Sequence, residues 1–268
     1  MNWMKKVAVA LVCLLPLGLQ AAKVDTLQVK SPSMNKSIEV VVVSPDVAAT
    51  KACPVIYLLH GYGGNARTWV GIKPDLSKIA DEKGIFFVCP DGKNTWYWDS
   101  PLNADVRYET FISDELVKYV DSHYKTVADR KGRAITGLSM GGHGAMWNGL
   151  RHSDVFSAAG STSGGVDIRP FPKNWEMSVQ IGEKAQYPEN WEKYTVINLV
   201  PTLRKDQIAL IFDCGDSDFF LEVNKNYHEA LLKQGIDHDF ITRPGNHDSQ
   251  YWLSLIHISE PTRLRRIS

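Results

Sequence analysis

Apolar and polar positions alternate with a period of two near the start of the chain. Thr26-Leu-Gln-Val-Lys30 and Ile38-Glu-Val-Val-Val-Val43 flank Ser31-Pro-Ser-Met-Asn-Lys36, which predicts an antiparallel hairpin leading into a sheet. The pattern then changes to short continuous apolar runs at 55–59, 85–89, 133–136, 156–160, 207–212 and 239–242. Runs that are apolar on both faces suit strands of a parallel sheet covered on both sides. Helix-like segments lie between them at 74–83, 108–124, 142–151 and 221–234. This alternation predicts a three-layer α/β domain, a mostly parallel central sheet with helices on both faces. Chemistry in such a domain belongs at the carboxyl ends of the strands.

Three stretches depart from the alternation. Residues 166–200 are rich in Trp, Pro, Asn and Lys and are read as an insertion over the carboxyl edge, a wall of the substrate site. Residues 1–22 carry Lys5 and Lys6, an apolar run from Val7 to Leu19 and the small residues Ala21 and Ala22. That order predicts a cleaved signal peptide and a secreted or periplasmic mature chain without a membrane span. Residues 255–268, with one proline and three arginines where a closing amphipathic helix is expected, are read as a non-native tail. The catalytic domain is then 23–254.

Composition narrows the partners. Of 268 residues 44% are hydrophobic, enough for one large core, and 30 Lys plus Arg balance 30 Asp plus Glu. A chain without net charge has no field to gather nucleic acid or an anionic membrane. Removal of 1–22 leaves Cys53, Cys89 and Cys214, an odd number without Cys-x-x-Cys spacing. Buried free thiols are expected, with no cofactor and no metal.

A serine hydroxyl attacks a carbonyl only when a base takes its proton and N–H donors receive the oxyanion. Gly137-Leu-Ser-Met-Gly141 sits between a strand-like and a helix-like run, the context in which G-x-S-x-G marks a nucleophile on a tight turn. Ser139 is therefore the candidate nucleophile. The Met140 N–H is one candidate oxyanion donor. His60-Gly-Tyr-Gly-Gly64, closing the run 55–59, offers the Tyr62 N–H as the second, with His60 bracing the loop. The acid and base follow the serine in chain order. Asp213-Cys-Gly-Asp-Ser-Asp218-Phe-Phe supplies Asp216 and Asp218 as competing loop acids; Asp218 is preferred because Phe219 and Phe220 can pack its loop inward. His247, presented by Pro244-Gly-Asn after the last strand-like run, is the candidate base. Trp96, Trp98 and Trp69 either stack on a sugar or phenolic ring or pack the loops beside them.

These motifs, together with Pro90-Asp-Gly-Lys-Asn-Thr-Trp96, Tyr108-Glu-Thr-Phe-Ile112 and Gly245-Asn-His-Asp248, span the chain up to about Trp252. The chain resembles the α/β-hydrolases of the esterase D, tributyrin esterase and S-formylglutathione hydrolase group, in particular secreted bacterial feruloyl and acetyl esterases. The resemblance implies a metal-independent serine esterase acting on short-chain or aromatic acyl esters, small or carbohydrate-linked. It also favours Asp218, the acid of a Gly-x-x-Asp-x-Phe pattern. The rival expectations are acyl transfer of the mycolyltransferase type, S-formylglutathione hydrolysis and non-catalytic carbohydrate binding.

Overall fold

The computed structural model describes residues 22–253. The expected signal segment, apart from its last residue, and the expected tail 255–268 lie outside the described residues.

The period-two segments form β1 (Lys23–Ser31) and β2 (Lys36–Ser44), antiparallel, with Val29 opposite Ile38 and Lys23 opposite Ser44. The turn between them closes on Asn35 at φ 49°, a left-handed conformation that Asn tolerates better than most residues. The apolar runs form β3 (Val55–Leu59), β4 (Phe86–Pro90), β5 (Arg133–Gly137), β6 (Ala158–Thr162), β7 (Ala209–Gly215) and β8 (Asp239–Arg243). One eight-stranded sheet results, in the order β1-β2-β4-β3-β5-β6-β7-β8. β2 meets β4 antiparallel, and β3 to β8 pair in parallel.

The helices are α1 (Thr68–Ile72), α2 (Leu76–Lys83), α3 (Tyr108–Thr110), α4 (Leu116–His123), α5 (Met140–Arg151), α6 (Met177–Ile181), α7 (Pro188–Lys193), α8 (Leu221–Gln234) and α9 (Ser249–Leu253). Because side chains alternate across a strand, the central strands feed two cores. Val40 and Val42 of β2 with Val55, Tyr57 and Leu59 of β3 join the cluster that includes α4, α5 and α8. Val41, Val43, Ile56 and Leu58 join the opposite cluster with Trp69 of α1 and Leu76 and Ala80 of α2. Two cores on two faces explain why Val40 to Val43 of β2 and the whole of β3 carry no charged member. The chain has the α/β-hydrolase architecture.

Two expected boundaries move and one expected helix is interrupted. The strand expected from 156 begins at Ala158, because the Phe156 N–H donates to His152 O and closes the turn after α5. The helix expected from 142 begins at Met140, directly after Ser139. The span 108–124 is one helical run in which a π-turn, Phe111–Glu115, separates α3 from α4. Residues 166–200 hold α6 and α7 and bury Val166, Ile168, Met177, Ile181 and Trp191 in the larger core. Cys53, Cys89 and Cys214 are free and buried. Among the described residues no helix is long and apolar enough to cross a membrane.

Candidate active site

The tight turn after β5 is made possible by small residues. A Cβ on Gly141 would lie 2.2 Å from Leu59 O and 2.7 Å from His60 O. Both are backbone atoms of the neighbouring strand end and cannot give way. Ser139 takes φ 54°, ψ −119°, which costs about 1–3 kcal/mol for a residue with a side chain. Two backbone bonds hold it there: Ser139 N–H donates to Thr162 O at 2.9 Å, and Ser139 O accepts from the His143 N–H at 3.0 Å. Its hydroxyl is thereby lifted off the sheet edge at the start of α5.

Three loops meet at that hydroxyl. Ser139 Oγ lies 2.8 Å from His247 Nε2, and His247 Nδ1 lies 2.8 Å from Asp218 Oδ2. The Asp218 side chain is fully buried and His247 is 15% exposed. The other carboxylate oxygen, Oδ1, accepts the Phe220 N–H at 2.8 Å. The carboxylate can only accept, so Nδ1 carries the proton and Nε2 is free to accept the serine proton. Phe219, Phe220 and Trp252 surround the imidazole, with ring centroids 4.2, 5.5 and 5.1 Å away. Asp216 sits elsewhere: its Oδ1 accepts the Gly245 N–H at 3.2 Å and the Ser217 hydroxyl at 3.0 Å. It braces the turn that presents His247 and does not reach the imidazole.

The loop after β3 is held as firmly. Gly61 O accepts from His60 Nδ1 at 2.7 Å and from the Gly64 N–H at 3.0 Å. The Gly92 N–H donates to His60 Nε2 at 2.9 Å, so the proton of the neutral ring is on Nδ1. A trans peptide is planar, with C=O and N–H on opposite sides. Fixing Gly61 O therefore fixes the direction of the Tyr62 N–H. The Met140 N–H is the first of α5, one of the donors that a helix leaves without an internal acceptor and a place where the helix dipole favours negative charge. A hydroxyl hydrogen-bonded to a proton acceptor at the start of a helix can attack a carbonyl carbon.

The three tryptophans expected at the substrate are not free to meet one. Trp96 is 1%, Trp98 0% and Trp69 5% exposed. Trp96 stacks on Trp98 at 5.7 Å and donates Nε1–H to Trp175 O; Trp69 donates to Leu59 O and packs in the smaller core. Their faces are covered, and they support the loops from behind. The exposed aromatics at the mouth are Tyr62 (37%) and Phe219 (49%). Phe219 stacks on Trp175 of the 166–200 segment at 5.4 Å. Their number in the loop motifs gave no sign of this, since exposure of one ring of an adjacent Phe219-Phe220 pair depends on which side the turn faces.

Asp213, at the end of β7, is a buried acid with a separate role. Burial pushes its carboxyl up to about 7, opposed by the hydroxyls of Thr162 and Tyr251 and by Arg243, and reinforced by Asp218. A carboxyl raised in the folded state contributes stability that is complete at acid pH and is lost as pH rises from about 4 through about 7. Asp213→Asn should therefore raise stability by about 1–4 kcal/mol more at pH 8 than at pH 4, read as the shift in urea midpoint at the two pH values. An equal shift at both would remove this account of Asp213.

Known proteins resemble the chain over most of its length. It is 26% identical over 215 residues to an acetyl esterase of Caldicellulosiruptor saccharolyticus, spanning 74% of this chain and 78% of that protein. It is 34% identical over 208 residues to an endo-1,4-beta-xylanase/feruloyl esterase of Xylanibacter ruminicola, covering 70% of this chain and 24% of that longer protein. A solved ferulic acid esterase superposes with a TM-score of 0.77 at 30% identity, covering 93% of this chain and 100% of that one. Residues 31–259 match the esterase family described as "Putative esterase", and the chain belongs to that family as an α/β-hydrolase-fold carboxylic ester hydrolase.

Proposed function

We propose that this chain is a secreted serine carboxylesterase that releases short-chain or aromatic acyl groups from esters, including esters on carbohydrate. The observation that carries the reading is the unbroken hydrogen-bonded series Ser139–His247–Asp218, 2.8 Å at each step. Ser139 Oγ attacks the ester carbonyl while His247 Nε2 takes its proton. The carbonyl oxygen, now an oxyanion, receives the N–H groups of Tyr62 and Met140. The intermediate collapses, the alcohol leaves with the proton from His247, and Ser139 holds the acyl group as an ester. Water, deprotonated by His247, attacks that ester, and the acid leaves as Ser139 regains its proton. Asp218 keeps Nδ1 protonated and stabilises the imidazolium.

The substrate class rests on two supports. Relatives whose names specify acetyl or feruloyl esters match 70–93% of the chain. The mouth is rimmed by Tyr62 and Phe219, flat faces suited to an aromatic acyl group or a sugar ring. The 166–200 segment supplies Trp175 behind Phe219, consistent with its proposed place as a wall of the site. Export follows from the charged, apolar and small-residue order of 1–22.

A panel of acetyl, butyryl and feruloyl esters, run with and without a sugar acceptor, tests the reading. Hydrolysis of acetyl or feruloyl esters, unaffected by acceptor, is expected. Acyl products that appear only on the sugar would replace hydrolysis by transfer.

A further inference from the structure

Tyr62 is clamped on both sides, and only one clamp belongs to its own motif. His60 fixes the peptide before it, as described above. The peptide after it is fixed from the loop following β4: the Gly63 N–H donates to Asn94 Oδ1 at 2.9 Å. Asn94 is half-buried and faces the oxyanion loop with its oxygen because its nitrogen is engaged elsewhere. Asn94 Nδ2 donates to Glu176 Oε2 at 3.3 Å, and the Tyr62 phenol is pushed up by burial and by the Glu176 carboxylate beside it. A carboxylate cannot donate, so Glu176 selects the amide orientation that leaves Oδ1 pointing at Gly63.

We propose that Asn94 is a positioning residue that aims the Tyr62 N–H, and that Glu176 holds Asn94 in the amide orientation this requires. The inference rests on the proposed role of the Tyr62 N–H as an oxyanion donor. With both flanking peptide planes fixed, the backbone of Tyr62 has no remaining freedom to turn its N–H away. The segment that carries Glu176 also reaches the other half of the site. Trp175, next in the chain, packs on Phe219 and Phe220, which touch His247. Its carbonyl accepts Trp96 Nε1–H at 3.2 Å, tying the segment to the loop that holds Asn94. A single two-residue unit thus sets the distance between the oxyanion loop and the base loop.

The test is steady-state kinetics on an ester that the wild type hydrolyses, with thermal unfolding of each variant. Asn94→Ala should lower kcat by about 10- to 100-fold with KM within about twofold and an unfolding midpoint close to wild type. Glu176→Ala should lower kcat by a smaller factor, and Glu176→Gln, which keeps an acceptor for Asn94 Nδ2, should restore it. In the double variant Asn94→Ala/Glu176→Ala the loss should not exceed that of Asn94→Ala, since both act through one bond. Wild-type kcat in Asn94→Ala, a loss confined to KM, or losses that multiply in the double variant would each overturn the proposal. Should Asn94→Ala fail to fold, the contrast between Glu176→Ala and Glu176→Gln decides. A Ser139→Ala enzyme with full turnover would instead overturn the underlying reading, whatever the Asn94 variants do.

Discussion

Ser139→Ala should lower kcat for a simple aryl ester by about 10⁴-fold or more while the protein remains folded. The loss is large because the hydroxyl is the atom that forms the acyl bond; among the described residues no other hydroxyl is hydrogen-bonded to His247 Nε2. Folding should survive because what holds residue 139 in place is its backbone, through Thr162 O and the His143 N–H. Alanine bears the φ of 54° no worse than serine, since the strain there comes from the Cβ that both carry. A fluorophosphonate should label the wild type once, on Ser139, and leave the variant unmodified. Undiminished turnover in a folded Ser139→Ala protein would remove serine chemistry from this site altogether.

The second large effect separates two acids that lie two residues apart. Asp218→Asn should reduce kcat by about 10⁴-fold, because an amide beside Nδ1 can offer its N–H and stabilise the tautomer whose Nε2 is already protonated. Such an imidazole cannot accept the Ser139 proton. Asp216→Asn keeps an oxygen for the Gly245 N–H, so its kcat should stay within about tenfold of wild type. Burial sharpens the contrast: the Asp218 side chain has no exposure, so water cannot substitute for the lost charge. Equal losses in the two variants, measured on the same ester, would mean that the loop acts as a rigid piece and not through one carboxylate.

How much of this was legible in the chain depends on how far each feature reaches. The strands β3 and β4 are legible because a sheet with a core on each face leaves no place for a polar residue, and five-residue apolar runs are the direct result. Ser139 and His247 are legible because each sits in a turn whose composition is local: glycines that must pass within reach of Leu59 O, and Pro244-Gly-Asn before the base. The choice of Asp218 over Asp216 rests in the sequence on the expected packing of Phe219 and Phe220 and on the resemblance, because the residues alone do not display the path of the loop. Both are polar and near the same glycine, and only the turn from Gly215 O to the Asp218 N–H directs one inward. Trp96, Trp98 and Trp69 were ambiguous for a different reason. An indole that stacks on substrate and one that props a loop have the same sequence signature, and burial alone tells them apart. Asn94 was out of reach because its partners lie 31 and 82 residues away.

The turn that presents His247 is anchored by what comes next in the chain. The Tyr251 ring of α9 lies against Gly245, where an added Cβ would meet it at 2.4 Å, and Trp252 meets the imidazole edge-on. Four residues beyond the base, α9 therefore serves as the latch of the loop. Whatever is joined after residue 253, whether a purification tag, a linker or a fused domain, pulls on that latch before it disturbs the sheet. A C-terminal fusion that keeps its fold but loses turnover therefore points to the latch as the first part to inspect.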